Sequence, residues 1–220
     1  MHPRFLPEHA RRGYHHGQLK DALLDAARML VAERGAAGFT LAEAAKLVGV
    51  TGAAPYRHFA DRQALMAELA RRGFDMFAHR LAGAWDEGRP DPVSAFQRMG
   101  HAYMAFAREE PGLYGAMFAD CRDFSAPPDP SASRSLTQLQ TAAAAVLAHH
   151  GARRDGAAAL ALDIWAFTHG VAMLALAGHL GPANLNTGLP GGGDPAEISQ
   201  RGVWALVEVA VRRDKSTPKP

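Results

Sequence analysis

Cysteine is almost missing from this chain: Cys121 stands alone among 220 residues, so no disulfide can close within it and stability must come from a packed core. A strong charge of one sign is missing as well, since 24 Lys and Arg face 22 Asp and Glu for a formal net charge of +2. Runs of alternating apolar and polar residues do not occur, nor do internal repeats, which removes sheets and solenoids and leaves an all-α fold class. The sequence also lacks a Gly-rich phosphate loop, a His-Glu-x-x-His, a Gly-x-Ser-x-Gly and a CxxC pair. Nothing therefore supplies a nucleophile, a metal or a cofactor, and the chain reads as a non-enzyme with no cofactor and no metal site. Met1 to Lys20 is basic without an apolar core of the secretory kind, so a cytoplasmic location is expected. What is present is globular: 48% hydrophobic and 21% charged residues exclude wholesale disorder and provide for a buried core.

The small net charge is unevenly placed. Residues 1–62 hold nine Lys and Arg against six Asp and Glu, together with five of the 11 histidines. A basic end on a nearly neutral body suits a small nucleic-acid-binding head. Leu19, Leu23, Ala26 and Leu30 recur at helical spacing up to Arg34-Gly35. Thr40 and Glu43 then form a capping box for a second, short helix with Leu41, Ala44, Ala45 and Val48 as its stripe. Gly49-Val50 turns the chain. Thr51 is placed to cap a third helix with Pro55 in its first turn, and Asp61 a fourth, whose apolar positions run from Leu65 to Trp85. Asp91-Pro92 opens a fifth helix, which Pro111 ends. A short amphipathic piece from Gly112 to Asp120, a loop at 125–130 and a helix over 132–150 follow.

Residues 40–59 fit a helix, a tight turn and a second helix, the helix-turn-helix arrangement. Helix N-termini with hydroxyl caps attract phosphate, so Thr40 and Thr51, with Tyr56, His58 and Arg62, are candidate DNA-backbone contacts. The small residues Gly52, Ala53 and Ala54 leave backbone approach, methyl contact to thymine and Arg57 as a guanine reader. Phe39, Leu41, Val48, Val50, Phe59 and Leu65 read as the core of the head. The segments Gly38–Ala45, Gly49–Thr51, Tyr56–Phe59 and Asp61–Leu65 together resemble the DNA-binding domain of tetracycline-repressor (TetR) family regulators over about residues 18–69. Tyr14-His15-His16-Gly17, Ala53-Ala54-Pro55 and Trp165-Ala166-Phe167-Thr168-His169-Gly170 are similar to the subgroup named for a Trp/His/Gly motif in its C-terminal domain. The sequence departs from the family at Gly52, where many members carry Lys, so a contact made by that Lys is not carried over.

The body is apolar in two long stretches, residues 157–178 and 202–211. The first has the length of a membrane span, but Asp163 and His169 interrupt it and neither flank is strongly basic, so it reads as a core helix of a soluble protein with no membrane partner. Helices without a solvent face need cover on both sides, which points to a homodimer with Val203, Leu206, Val207 and Ala210 at its interface. Two heads about one DNA turn apart, ~34 to 36 Å or a multiple, would then read a palindromic double-stranded operator. His101, Met104, Tyr114, Met117, Phe118, Trp165 and His169, together with Tyr103, Phe106 and Cys121, could line a pocket for a small apolar ligand; each could equally be ordinary core. A histidine inside an apolar helix needs a partner, which gives His169 more weight. The organisation expected is a basic arm over 1–16, a DNA-binding head over 17–62, a ligand-binding and dimerisation body over 63–212 and a disordered tail over 213–220. With the resemblance, the reading is a ligand-responsive transcriptional regulator, a repressor released by its ligand. An all-α enzyme and a helical interaction module without DNA binding are the alternatives.

Overall fold

The computed structural model describes residues 16–119, 130–180 and 193–216. The expected arm up to residue 15, Cys121 and the proline-rich loop lie outside these, as does most of the glycine-rich loop before Pro195. Eight α-helices and no strands occur among the described residues: α1 His16–Arg34, α2 Leu41–Val48, α3 Arg62–Trp85, α4 Pro92–Glu109, α5 Pro111–Met117, α6 Pro130–His149, α7 Ala157–Leu176 and α8 Pro195–Ser216. The last helix runs through Ser216, into the stretch expected as a disordered tail.

The caps explain the boundaries. The Asp61 carboxylate accepts from the Ala64 amide at 2.7 Å, and that of Asp91 accepts from Val93 and Ser94 at 3.0 and 2.9 Å. Each satisfies N-terminal amides that have no partner inside the helix. One contiguous apolar core then joins head and body. It runs from Leu23, Leu30, Phe39 and Leu41 through Leu65 and Leu69 to Phe77, Phe106, Tyr114, Val146, Ile164 and Val207. Val48 and Val50, expected in the head core, are only half-buried.

Two features place the functional regions. α3 is unbroken from the head into the body, with Leu65 and Leu69 under the head and Phe77 and Leu81 in the body core. α5 is wedged against α1 so closely that a Cβ at Gly112 would stand 2.0 Å from the Arg28 carbonyl oxygen, and only glycine permits that approach. Beside it, Arg28 pairs with Glu110 at 2.5 Å. α7 packs one face, Leu160, Ala161, Ile164, Thr168, Val171 and Ala172, into the core between α6 and α8. It is long and apolar enough to cross a membrane by length and composition alone; in this fold it is a core helix with one open side.

Candidate functional site

The head is built as the sequence predicts up to the turn. Thr40 and Glu43 form the reciprocal capping box: the Glu43 amide donates to Thr40 Oγ1 at 3.2 Å, and the Thr40 amide donates to Glu43 Oε2 at 2.8 Å. The Thr40 hydroxyl also donates to Glu43, and Arg34 adds an ion pair at 3.0 Å, so these donors hold the Glu43 carboxyl below its usual range. The hydroxyl proton expected for a phosphate is therefore committed to the cap. Gly49 closes α2 in the left-handed conformation, φ 78°, sending its amide back to Ala45 and Lys46.

Beyond the turn the structure differs from expectation. In place of a helix capped by Thr51 there is a single 3₁₀ turn, Ala54–Arg57, led by Ala53 without any side-chain cap. The segment is too short for more, since Gly52 is a poor helix former and the Asp61 cap already opens α3. What fixes the turn is burial of Pro55 and Phe59, with the His58 and Phe59 amides both donating to the Pro55 carbonyl at 2.9 and 3.0 Å. The consequence is an outward face. Thr51, Gly52, Ala53, Tyr56 and Arg57 are exposed, Tyr56 by 61%, while Ala54 and His58 are half-buried. Arg62 behaves differently from a free cation: its guanidinium lies over the Phe39 ring at 4.8 Å and its Nε is buried.

In the body the predicted residues divide. Tyr114, Met104 and Met117 are buried, Phe118 and His169 half-buried, and Trp165 is at the edge of exposure. His101 points to solvent from the outer side of α4, because its neighbours Tyr103 and Met104 take the inward positions. The Tyr103 and Tyr114 hydroxyls are 3.0 Å apart, and Tyr114 Oη is 2.8 Å from His169 Nδ1. Around this chain the Phe118 ring meets His169 at 4.3 Å and Trp165 stacks on His169 at 5.9 Å. From α3, Phe74 reaches Phe118 at 5.8 Å and Phe77 reaches Tyr103 at 5.0 Å. Burial pushes both tyrosines far above their ordinary range and lowers the proton affinity of His169. In the sequence Phe74 and Phe77 stand out only as an apolar stripe, since periodicity shows which side of a helix is inward but not what it meets.

The expected interface residues also divide. Val203 and Val207 are buried inside the protomer, Val207 to 2% exposure, because they face α4 and α6; Leu206 and Ala210 are half-buried. Leu206, Val209 and Ala210 line one side of a surface groove whose other side is Leu160 and Asp163 of α7. The apolar side chains that remain open are Leu162, Phe167, Met173 and Leu174 on α7 and Val209 on α8.

This division into a helix-turn-helix head and an aromatic helical body has a counterpart among known proteins. A model of the tetR family of bacterial regulatory proteins matches residues 23–69, and a tetracyclin repressor-like C-terminal domain matches residues 96–189. The chain belongs to the tetR family. An uncharacterised HTH-type transcriptional regulator of Bacillus subtilis, YobS, is 34% identical over 107 residues, which are 49% of this chain and 55% of that protein. The match thus spans about half the length of that relative. A protein of unknown function from Rhodococcus sp. RHA1 superposes with a TM-score of 0.70 at 27% identity, covering 91% of this chain and all of that one. The TetR family transcriptional regulator PfmR of Thermus thermophilus shares the fold at a TM-score of 0.59 and 14% identity, over 84% of this chain and 97% of that one. TetR-family proteins are transcriptional regulators and not enzymes; the two matched regions are the DNA-binding head and the C-terminal ligand-binding domain.

Proposed function

We propose that this TetR-family chain is a cytoplasmic repressor that binds a palindromic operator as a homodimer and is released by a small apolar molecule held in its body. The observation that carries the DNA-binding part is the exposed face of the turn between α2 and α3. Thr51, Gly52, Ala53, Tyr56 and Arg57 stand outward there over a buried Pro55 and Phe59. Small residues let the backbone come close to the bases, and Tyr56 and Arg57 supply the donors for phosphate or guanine. The same role is assigned to Thr40, Ala54, His58 and Arg62 only as flanking contacts.

The dimer is supported by the open apolar side of α7 with Val209 of α8, which a lone chain would present to water. A partner copy covers it most economically. The effector reading rests on the cluster of Met104, Tyr114, Met117, Phe118, Trp165 and His169, which touches α3 through Phe74 and so the helix that carries the head. Mobility-shift titration of the full chain against DNA flanking its own coding region, with light scattering on the same samples, tests the proposal. Two protomers per palindromic site is the expected result, and binding of one protomer, or no preference over random duplex, would overturn it.

A further inference from the structure

The hydrogen-bond chain through the aromatic body has only one workable direction. Tyr103 is buried between α3 and α5, and among the described residues its hydroxyl has a single hydrogen-bonding neighbour, the Tyr114 hydroxyl at 3.0 Å. A buried hydroxyl without an acceptor for its proton forfeits a hydrogen bond, so the proton of Tyr103 goes to Tyr114 Oη. The proton of Tyr114 must then go to its other neighbour, His169 Nδ1, at 2.8 Å. With Nδ1 accepting, a neutral imidazole carries its own proton on Nε2. The ring is kept neutral by burial, with no charged side chain acting on it. Nε2 has no protein partner among the described residues and is not sealed from solvent. It is thus a directed donor on a half-buried imidazole flanked by the Phe118 and Trp165 rings.

From this we infer that the effector is an uncharged, flat apolar molecule bearing a hydrogen-bond acceptor such as a carbonyl oxygen, which takes the Nε2–H of His169 while its frame lies against Phe118 and Trp165. Tyr103, which does not touch His169, is the residue that sets the direction of the donor. The inference rests on the body being an effector site, but the state of the imidazole does not, and the two are tested separately.

Long-range proton–nitrogen correlation spectra of the full chain distinguish the two imidazole tautomers without any ligand. His169 is expected as the Nε2–H form, and Tyr103→Phe should let both tautomers appear, because Tyr114 can then donate or accept at no cost elsewhere. An Nδ1–H imidazole in the unmutated protein, or a Tyr103→Phe spectrum unchanged from it, overturns the direction. Titration with 2-acetylnaphthalene and with 2-isopropenylnaphthalene, the same shape without the oxygen, tests the effector class. The ketone should bind roughly three- to tenfold more tightly, the value of one hydrogen bond, and shift the His169 ring signals. Equal affinity overturns the acceptor assignment. Binding of neither overturns the body as a site for such molecules, whatever the tautomer.

Discussion

Arg57 and Arg62 look alike in the sequence, two arginines within six positions of a DNA-binding turn, and the fold gives them different work. Arg57 is exposed beside Tyr56, whereas Arg62 lies over Phe39 and has its Nε buried. A guanidinium over an aromatic face contributes about 0.5 to 2 kcal/mol to stability depending on how far it is desolvated. Arg57→Ala should therefore lower the salt dependence of operator binding by about 0.9 in the log–log slope, the value of one lost phosphate contact, and leave the melting temperature unchanged. Arg62→Ala should do the reverse in emphasis, with a loss of about 1 kcal/mol in chemical denaturation. Binding isotherms at several salt concentrations beside urea titrations decide it; an unaltered slope for Arg57→Ala would remove that residue from the phosphate contacts.

Helices α1 and α3 are clamped by one carboxylate. Glu68 of α3 lies 2.9 Å from Arg71 Nε and 3.3 Å from Lys20 of α1, and Arg72 reaches both Glu68 at 3.5 Å and Asp21 of α1 at 2.6 Å. The Arg71 hydrogen bond is the largest influence, aided by Lys20, and together they hold the Glu68 carboxyl at about 2 against an ordinary 4.5. A group whose folded-state affinity for protons is depressed stabilises the fold above its unfolded value, and that stability disappears as the pH falls through the folded one. Unmutated protein should accordingly be more stable than Glu68→Gln by about 1 to 2 kcal/mol at pH 7, after allowance for screening. The gap should close between pH 4.5 and 2, as followed by helical circular dichroism in denaturant. A gap constant across that range would show that the charge is not what holds the two helices. On the other side of α1, α5 fits by shape, through Gly112 against the Arg28 carbonyl.

At the scale of the molecule, the open side of α7 and the inward side of α8 separate assembly from folding. Leu174 is 48% exposed and Val207 is 2% exposed, although both lie in apolar helical sequence. Leu174→Arg leaves the protomer core untouched and places a charge where a partner copy would pack. It should give a folded monomer by light scattering, with operator affinity reduced at least a hundredfold because a single head has few contacts. Val207→Arg buries an unpaired charge instead, and should lower stability by more than about 3 kcal/mol and not yield a folded monomer at all. A Leu174→Arg protein that remains dimeric would move the interface off α7. Through α3, which meets the aromatic body at Phe74 and Phe77 and the head at Leu65, a dimer of this kind couples effector binding to the spacing of its two heads.

Local chemistry carried into the structure without change. The Thr40–Glu43 box, the Asp61 and Asp91 caps and the Gly49 turn depend only on residues three or four apart, and each appears where the sequence puts it. So does the all-α class, which follows from periodicity alone. The short turn at Ala54–Arg57 was not legible, because Thr51 and Pro55 suit a full helix and only the burial of Pro55 and Phe59 beneath the head limits it to one turn. Nor could the sequence orient α8: an apolar helix has no polar side to mark which valines face inward, so Val203 and Val207 were indistinguishable from Val209 until α4 and α6 packed against them. His101 and His169 are the same residue type in two apolar stripes, yet one points to water and the other closes a hydrogen-bond chain with tyrosines from α4 and α5. Tyr114 and His169 are 55 positions apart, and contacts at that separation are created only when helices pack, which is why the sequence by itself settled the caps and the head while the tertiary structure alone decided the body.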